Sequence, residues 1–187
     1  MNGSQTGSLR TVTAKPEQEN DYIAGHSSFA EGNWTEASGD YSHAEGSNTI
    51  ASGDYSHAEG CNTVASGDYS HAEGNETSAS ESYSHAEGNE TSASGWSSHA
   101  EGYGTSANGN YSHAEGYGTR ANNSYQHVQG KYNIYDNSST YAHVVGNGSS
   151  DSNRSNAHTL DWDGNAWFAG QVYVGPSNTA LVDTNTM

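Results

Sequence analysis

The chain has 187 residues, only five Lys and Arg together, and a formal net charge of −17. That balance excludes nucleic acid as a partner, because holding phosphate needs clustered cations. The polar composition gives no apolar run long enough for membrane insertion, and the single cysteine, Cys61, excludes a disulfide framework.

Taken from the N-terminus, residues 1–21 contain Pro16, show no period and read as an N-terminal arm or attachment segment, with a short lead-in strand at 22–24. A Gly-, Ser-, Asn- and Thr-rich composition argues by itself for disorder, but a repeat overrules it. The block Ser42-His43-Ala44-Glu45-Gly46 returns at Ser56, Ser70, Ser84, Ser98 and Ser112, inside a fourteen-residue unit S-H-A-E-G-x-x-T-x-A-S-G-x-Y. The copy from Ser28 carries Phe29 in place of His, and the copy from Gln126 to Ser139 is degenerate. A period this short fits a β-solenoid coil of two short strands and two tight turns. The predicted β-roll spans 22–146 and closes on Tyr141 to Gly146, a rung displaced by a two-residue insertion. Residues 147–156 read as a Gly/Ser/Asn/Asp linker. Residues 157–175 read as a C-terminal β-hairpin cap turning at Asp163-Gly164, with a third strand at 171–174, and residues 176–187 as a polar tail.

Strand alternation assigns the faces. Ser42, Ala44, Thr49 and Ala51 line a narrow interior, whereas the position between Thr and Ala wanders through Ile50, Val64, Ser78, Ser92, Ser106 and Arg120 and marks solvent. Three constant residues point outward. They are Tyr41, Tyr55, Tyr69, Tyr83 and Tyr111; His43, His57, His71, His85, His99, His113 and His127; and Glu45, Glu59, Glu73, Glu87, Glu101 and Glu115. At the ends of the array the face starts on Phe29 and Glu31 and finishes on Gln129 and Val145. Neighbouring positions have diverged freely, so this face is expected to be held constant by packing against other subunits. Trp162, Trp167 and Phe168, in the largest apolar concentration of the chain, are assigned to the same interface.

His and Glu two residues apart can act as base and acid, but the pair recurs in equivalent settings and catalysis needs one singular constellation, so no enzyme activity is expected. If three chains associate about a common axis, three histidines would gather near it in a geometry that can hold a transition metal. The favoured reading is hydrogen bonding of His to Glu between chains, with no metal or other cofactor, and with histidine pKa values raised on assembly by the Glu columns. Thr columns also suit ice-binding solenoids, yet alternation puts Thr49, Thr63 and Thr77 inside. Trp34, Trp96, Tyr103 and Tyr117, at turn or variable positions, are the candidates for stacking on a sugar; the competing reading is that they cover turn backbone or fill gaps between subunits.

The S-x-A-x-G…A-S/T-G unit resembles the left-handed parallel β-roll heads of trimeric autotransporter adhesins, and its SHAEG form is similar to repeats of bacteriophage and prophage tail fibres and appendages. The resemblance covers roughly two thirds of the chain and implies an all-β, left-handed parallel homotrimer. Adhesin heads usually carry Val and Ile where this chain has His43 and Glu45, so the fold is expected to carry over and an adhesin ligand is not. The segment from Ser155 to Gly170 is similar to sequences that stand ahead of chaperone or self-cleaving domains in phage fibres, and those domains are longer than the residues after Gly175. The sequence shows neither an export signal nor a membrane anchor. The expectation is therefore a virion tail component assembled in the host cytoplasm, with other tail proteins and a host-surface glycan as partners. The alternative is a head-domain fragment of an adhesin.

Overall fold

The computed structural model describes residues 11–12, 25–174 and 179–180. The lead-in strand expected at 22–24, the rest of the arm and the rest of the polar tail lie outside them. The described chain is an all-β parallel solenoid with a fourteen-residue coil. Each coil contributes one five-residue strand, such as His43–Ser47 or His57–Cys61, and one two-residue strand, such as Ile50–Ala51 or Val64–Ala65. Long strands stack on long strands and short on short, in parallel and in register, so that His43 pairs with His57, Glu45 with Glu59 and Ala51 with Ala65. Thr11–Val12 pairs in parallel with the first rung, through Thr11 to Glu31 and Val12 to Gly32.

The interior follows from strand alternation. Every rung from 44 to 121 contributes two alanines that are fully buried, and beside them lie the buried Ser42 and Thr49 and their equivalents. Toward the end of the roll Val128 and Val144 replace Ala in the same column. Small residues are required because two sheets meet across one side chain from each, and a larger one would overpack the column. Buried serine hydroxyls turn back on their own coil, with Ser42 and Ser56 Oγ donating at 2.6 Å to the carbonyls of Gly39 and Gly53.

Both turns of a coil use a residue in the left-handed region. Tyr55 (φ 58°) and Asn62 (φ 56°) are examples. Each donates its N–H to the rung before it, Tyr55 to the Asp40 carbonyl at 2.8 Å and Asn62 to the Ser47 carbonyl at 2.9 Å. These bonds hold a backbone conformation that a bulky residue such as Tyr otherwise avoids. Asp side chains extend the ladder, since Asp54 Oδ1 accepts the N–H of Asp40 at 2.9 Å and Asp68 Oδ1 that of Asp54 at 3.1 Å.

The closing rung is offset by two residues, as the spacing predicts: His127 pairs with His143 and Val128 with Val144. The extra residues are accommodated around buried Gln126 and Asp136. Gln126 Nε2 donates to Asp136 Oδ2 at 3.3 Å and to the Tyr141 carbonyl at 3.1 Å, and Asp136 accepts the N–H groups of Tyr141 and Ser138. Asn156–Asp161 then pairs antiparallel with the closing rung, and Ala166–Phe168 antiparallel with Asn156–Asp161. The connection is tied by Asp161, whose Oδ1 accepts the N–H groups of Asp163 and Asn165, while Gly164 supplies φ 86°. The bonds from Asn165 hold the Asp161 carboxyl below the usual carboxylate range. The expected third strand is shorter, Tyr173–Val174, and pairs with Thr179–Ala180 instead of joining the sheet, because the chain bends away at Ala169 and Gly170.

Candidate functional site

A column of rings runs along the outer face of the long sheet. In-register stacking carries each imidazole onto the next, with centroids 4.7 Å apart from His43 to His57 and 4.8 Å from His57 to His71 and from His71 to His85. This is the strand spacing expected of equivalent residues in paired rungs. The column continues through His99, His113, His127, His143 and His158, and it ends on Phe29 against His43 at one end and Phe168 against His158 at the other. Alternation places Glu45, Glu59 and the other glutamates beside it. Both columns are half-buried in the single chain, the side chains of His57 and Glu59 being 35% and 36% exposed.

The partner of each histidine changes along the column. His43, His57 and His71 face the glutamate of their own rung at 3.8, 3.8 and 3.9 Å, too long for a hydrogen bond. His99, His113 and His127 reach Glu87, Glu101 and Glu115 of the preceding rung at 3.3, 3.2 and 3.3 Å. His–Glu hydrogen bonds therefore already exist within one chain. Beyond them the column loses its carboxylates, with Gln129 Nε2 at 3.4 Å from His143 Nε2 and Val145 next in line.

In the single chain two histidines are shifted, both downward, whereas the rise expected from the sequence concerns the assembled chains. Burial, and then the neighbouring His99, pull His85 below the ordinary imidazole value, and Glu87, Glu73 and Glu101 only partly oppose this. His143 is lowered by burial and then by His127 and His158, against Glu115. Burial strips water from these two rings and the neighbouring imidazoles add like charge, and at His85 and His143 these effects outweigh the carboxylates. A folded-state pKa below the unfolded one near 6.5 contributes stability that is present above that value and lost as pH falls through it. The melting temperature of the chain, followed by circular dichroism, is expected to fall between about pH 7.5 and about pH 5.5, with His85→Gln weakening the trend. A melting temperature that climbs on acidification would reject this reading and favour the ion-pair account.

Tyr41 stands apart from this face. It lies outside the strand in the left-handed region, so alternation does not extend to it, and the tyrosines form a column of their own through Tyr41, Tyr55, Tyr69 and Tyr83 at 4.8–5.1 Å. Where Ser97 interrupts that column, Trp96 fills the gap edge-on between Tyr83 and Tyr111. Tyr103 and Tyr117 stack on each other at 4.8 Å, and a bond from the Tyr103 hydroxyl to Glu90 holds that phenol above its ordinary pKa. The Tyr103–Tyr117 stack covers one face of each ring that a sugar would need. Among the described residues no ring stacks on Trp34, which is 51% exposed. Trp167 and Phe168, on the outermost strand, and Trp162, in the turn before it, are each about half exposed.

Four groups of His and Glu bring one ligand atom from each member within 4.8 Å: Glu45/His57/Glu59, Glu59/His71/Glu73, Glu73/His85/Glu87 and His99/Glu101/His113. All lie in one chain, unlike the three histidines on a symmetry axis suggested by the sequence. A groove of about 590 Å³ runs over Glu45 and Glu59 beside Gly46, Gly60 and Gly74, where the lack of side chains leaves it open. Arg154, inside the segment that reads as a linker, is a residue that composition does not reveal. It reaches back to the carbonyls of Gly118 and Asn133, lies over the Tyr135 ring and pairs with Asp151.

The chain is a parallel β-solenoid carrying a column of imidazole rings flanked by glutamates as far as Glu115. No protein-family model matches the chain, and no curated protein matches it.

Proposed function

We propose that the chain is a structural component of a phage or phage-like tail fibre, working as a left-handed parallel homotrimer capped by its C-terminal hairpin and contributing to attachment at a host-surface glycan. The observation that carries the reading is the His/Glu face, a ring column from Phe29 to Phe168 flanked by glutamates from Glu31 to Glu115 and half-buried before any partner is added. A face kept constant over so many rungs, beside wandering positions such as Ile50 and Arg120, suits a contact between identical chains. Exposed Trp162, Trp167 and Phe168 extend the apolar part of that contact. The similarity of the SHAEG unit to phage fibre repeats supplies the setting, and other tail proteins are the further partners. Repetition of the His/Glu pair in equivalent settings supports a structural role over catalysis. For sugar stacking Trp34 is favoured over Trp96, Tyr103 and Tyr117, each of which is engaged with neighbouring rings.

Light scattering of the purified chain is expected to give a mass of about 59 kDa, three times 19.7 kDa, at micromolar concentration. A stable folded species of 19.7 kDa would reject the trimer and return the His/Glu face to solvent.

A further inference from the structure

The imidazole nitrogens of the first rungs are unsatisfied in a setting that supplies ligands. Nε2 of His43, His57, His71 and His85 is shielded from solvent and has no hydrogen-bond partner. A shielded polar atom left unpaired is costly, and these nitrogens, unlike the interior Thr hydroxyls in the same state, stand on an outer face beside carboxylates. The nearest groups are carboxylates. His57 Nε2 lies 3.8 Å from Glu59 Oε2 and His71 Nε2 lies 3.9 Å from Glu73 Oε2. These separations are long for hydrogen bonds, but they are close to the edge between two ligands of a tetrahedral zinc ion, about 3.3–3.5 Å for bonds of about 2.0–2.2 Å.

We propose that the His/Glu face binds divalent transition-metal ions of the zinc class, each held by one histidine Nε2 and one oxygen from each of two glutamates, at Glu45/His57/Glu59 and at Glu73/His85/Glu87. One imidazole with two carboxylates suits zinc, whereas calcium and magnesium favour all-oxygen sites. The set between them, Glu59/His71/Glu73, shares each of its carboxylates with a neighbour, so alternate rungs fill and this row takes two ions. The groove over the glycines Gly46, Gly60 and Gly74 is lined by Glu45 and Glu59, the two carboxylates of the first site. Each site is complete within one chain. It does not rest on the trimer, and its failure would leave the assembly reading untouched.

The test is calorimetric titration of the full, untagged chain with zinc chloride, alongside the His57→Gln/His71→Gln/His85→Gln variant and a magnesium chloride control, with zinc-edge X-ray absorption on the unmutated chain. Zinc is expected to bind with a dissociation constant below about 100 μM, at least about tenfold tighter than to the variant, without competition from magnesium at equal concentration. The absorption spectrum is expected to show imidazole and carboxylate together. Weaker binding, equal competition by magnesium, unchanged binding to a folded variant, or a shell of oxygen alone would overturn the proposal. If the variant does not fold, the absorption spectrum of the unmutated chain decides between imidazole and oxygen alone.

Discussion

Gly60→Ala is expected to destabilise the roll by about 3–5 kcal/mol, enough to unfold the rungs around it. Gly60 has φ 111°, and a Cβ there would lie 2.1 Å from the carbonyl oxygen of Gly74 on the next rung. That oxygen is backbone in a parallel ladder, so it cannot move without breaking the stack. The same column is glycine from Gly32 through Gly146, in the degenerate and closing rungs as well. Gly104 is the contrast. Its φ is 61° and a Cβ would meet only Gly118 Cα at 3.9 Å, while equivalent positions hold Asn48, Asn62, Glu76 and Glu90 in the same conformation. Gly104→Asn is therefore expected to change stability by less than about 1 kcal/mol. Urea unfolding followed by far-ultraviolet circular dichroism compares the two, and equal midpoints would reject the steric account.

Arg154→Ala is expected to cost about 2–4 kcal/mol and to free the C-terminal strands for proteolysis before the roll itself opens. The Arg154 side chain is 10% exposed. Its Nη1 donates to the Gly118 carbonyl at 2.8 Å and to the Asn133 carbonyl at 3.1 Å, and its guanidinium lies 4.1 Å from the Tyr135 ring centre. Removing it strands two acceptors at the point where the roll ends and the antiparallel strands begin. Arg154→Lys is expected to recover only part of the loss, because a point charge does not span both carbonyls and does not stack as a planar group. Limited proteolysis read by mass spectrometry gives the order of cleavage. Cleavage first in the rungs around His71 would show that Arg154 does not hold the C-terminal segment.

The coil length, the interior set of Ser, Ala, Thr and Ala, and the two-residue offset of the closing rung were legible from residues alone. Two physical facts make them so. A strand sends successive side chains to opposite faces, and parallel stacking in register lays each residue on its counterpart fourteen positions on, so a repeated residue must meet itself. For the same reason the histidine column and its spacing could be anticipated. What the repeat does not encode is how equivalent side chains choose partners. His57 faces the glutamate of its own rung while His113 reaches the rung before, from the same five-residue motif, because rotamers settle against neighbours on both sides. The direction of the His85 shift depends on how closely rings exclude water, a packing distance that no motif states. Trp96 enters the tyrosine column from a neighbouring position, and Arg154 closes on a carbonyl 36 residues earlier. Neither contact has a local pattern to announce it, since both are made by chain segments that meet only once the coils have stacked.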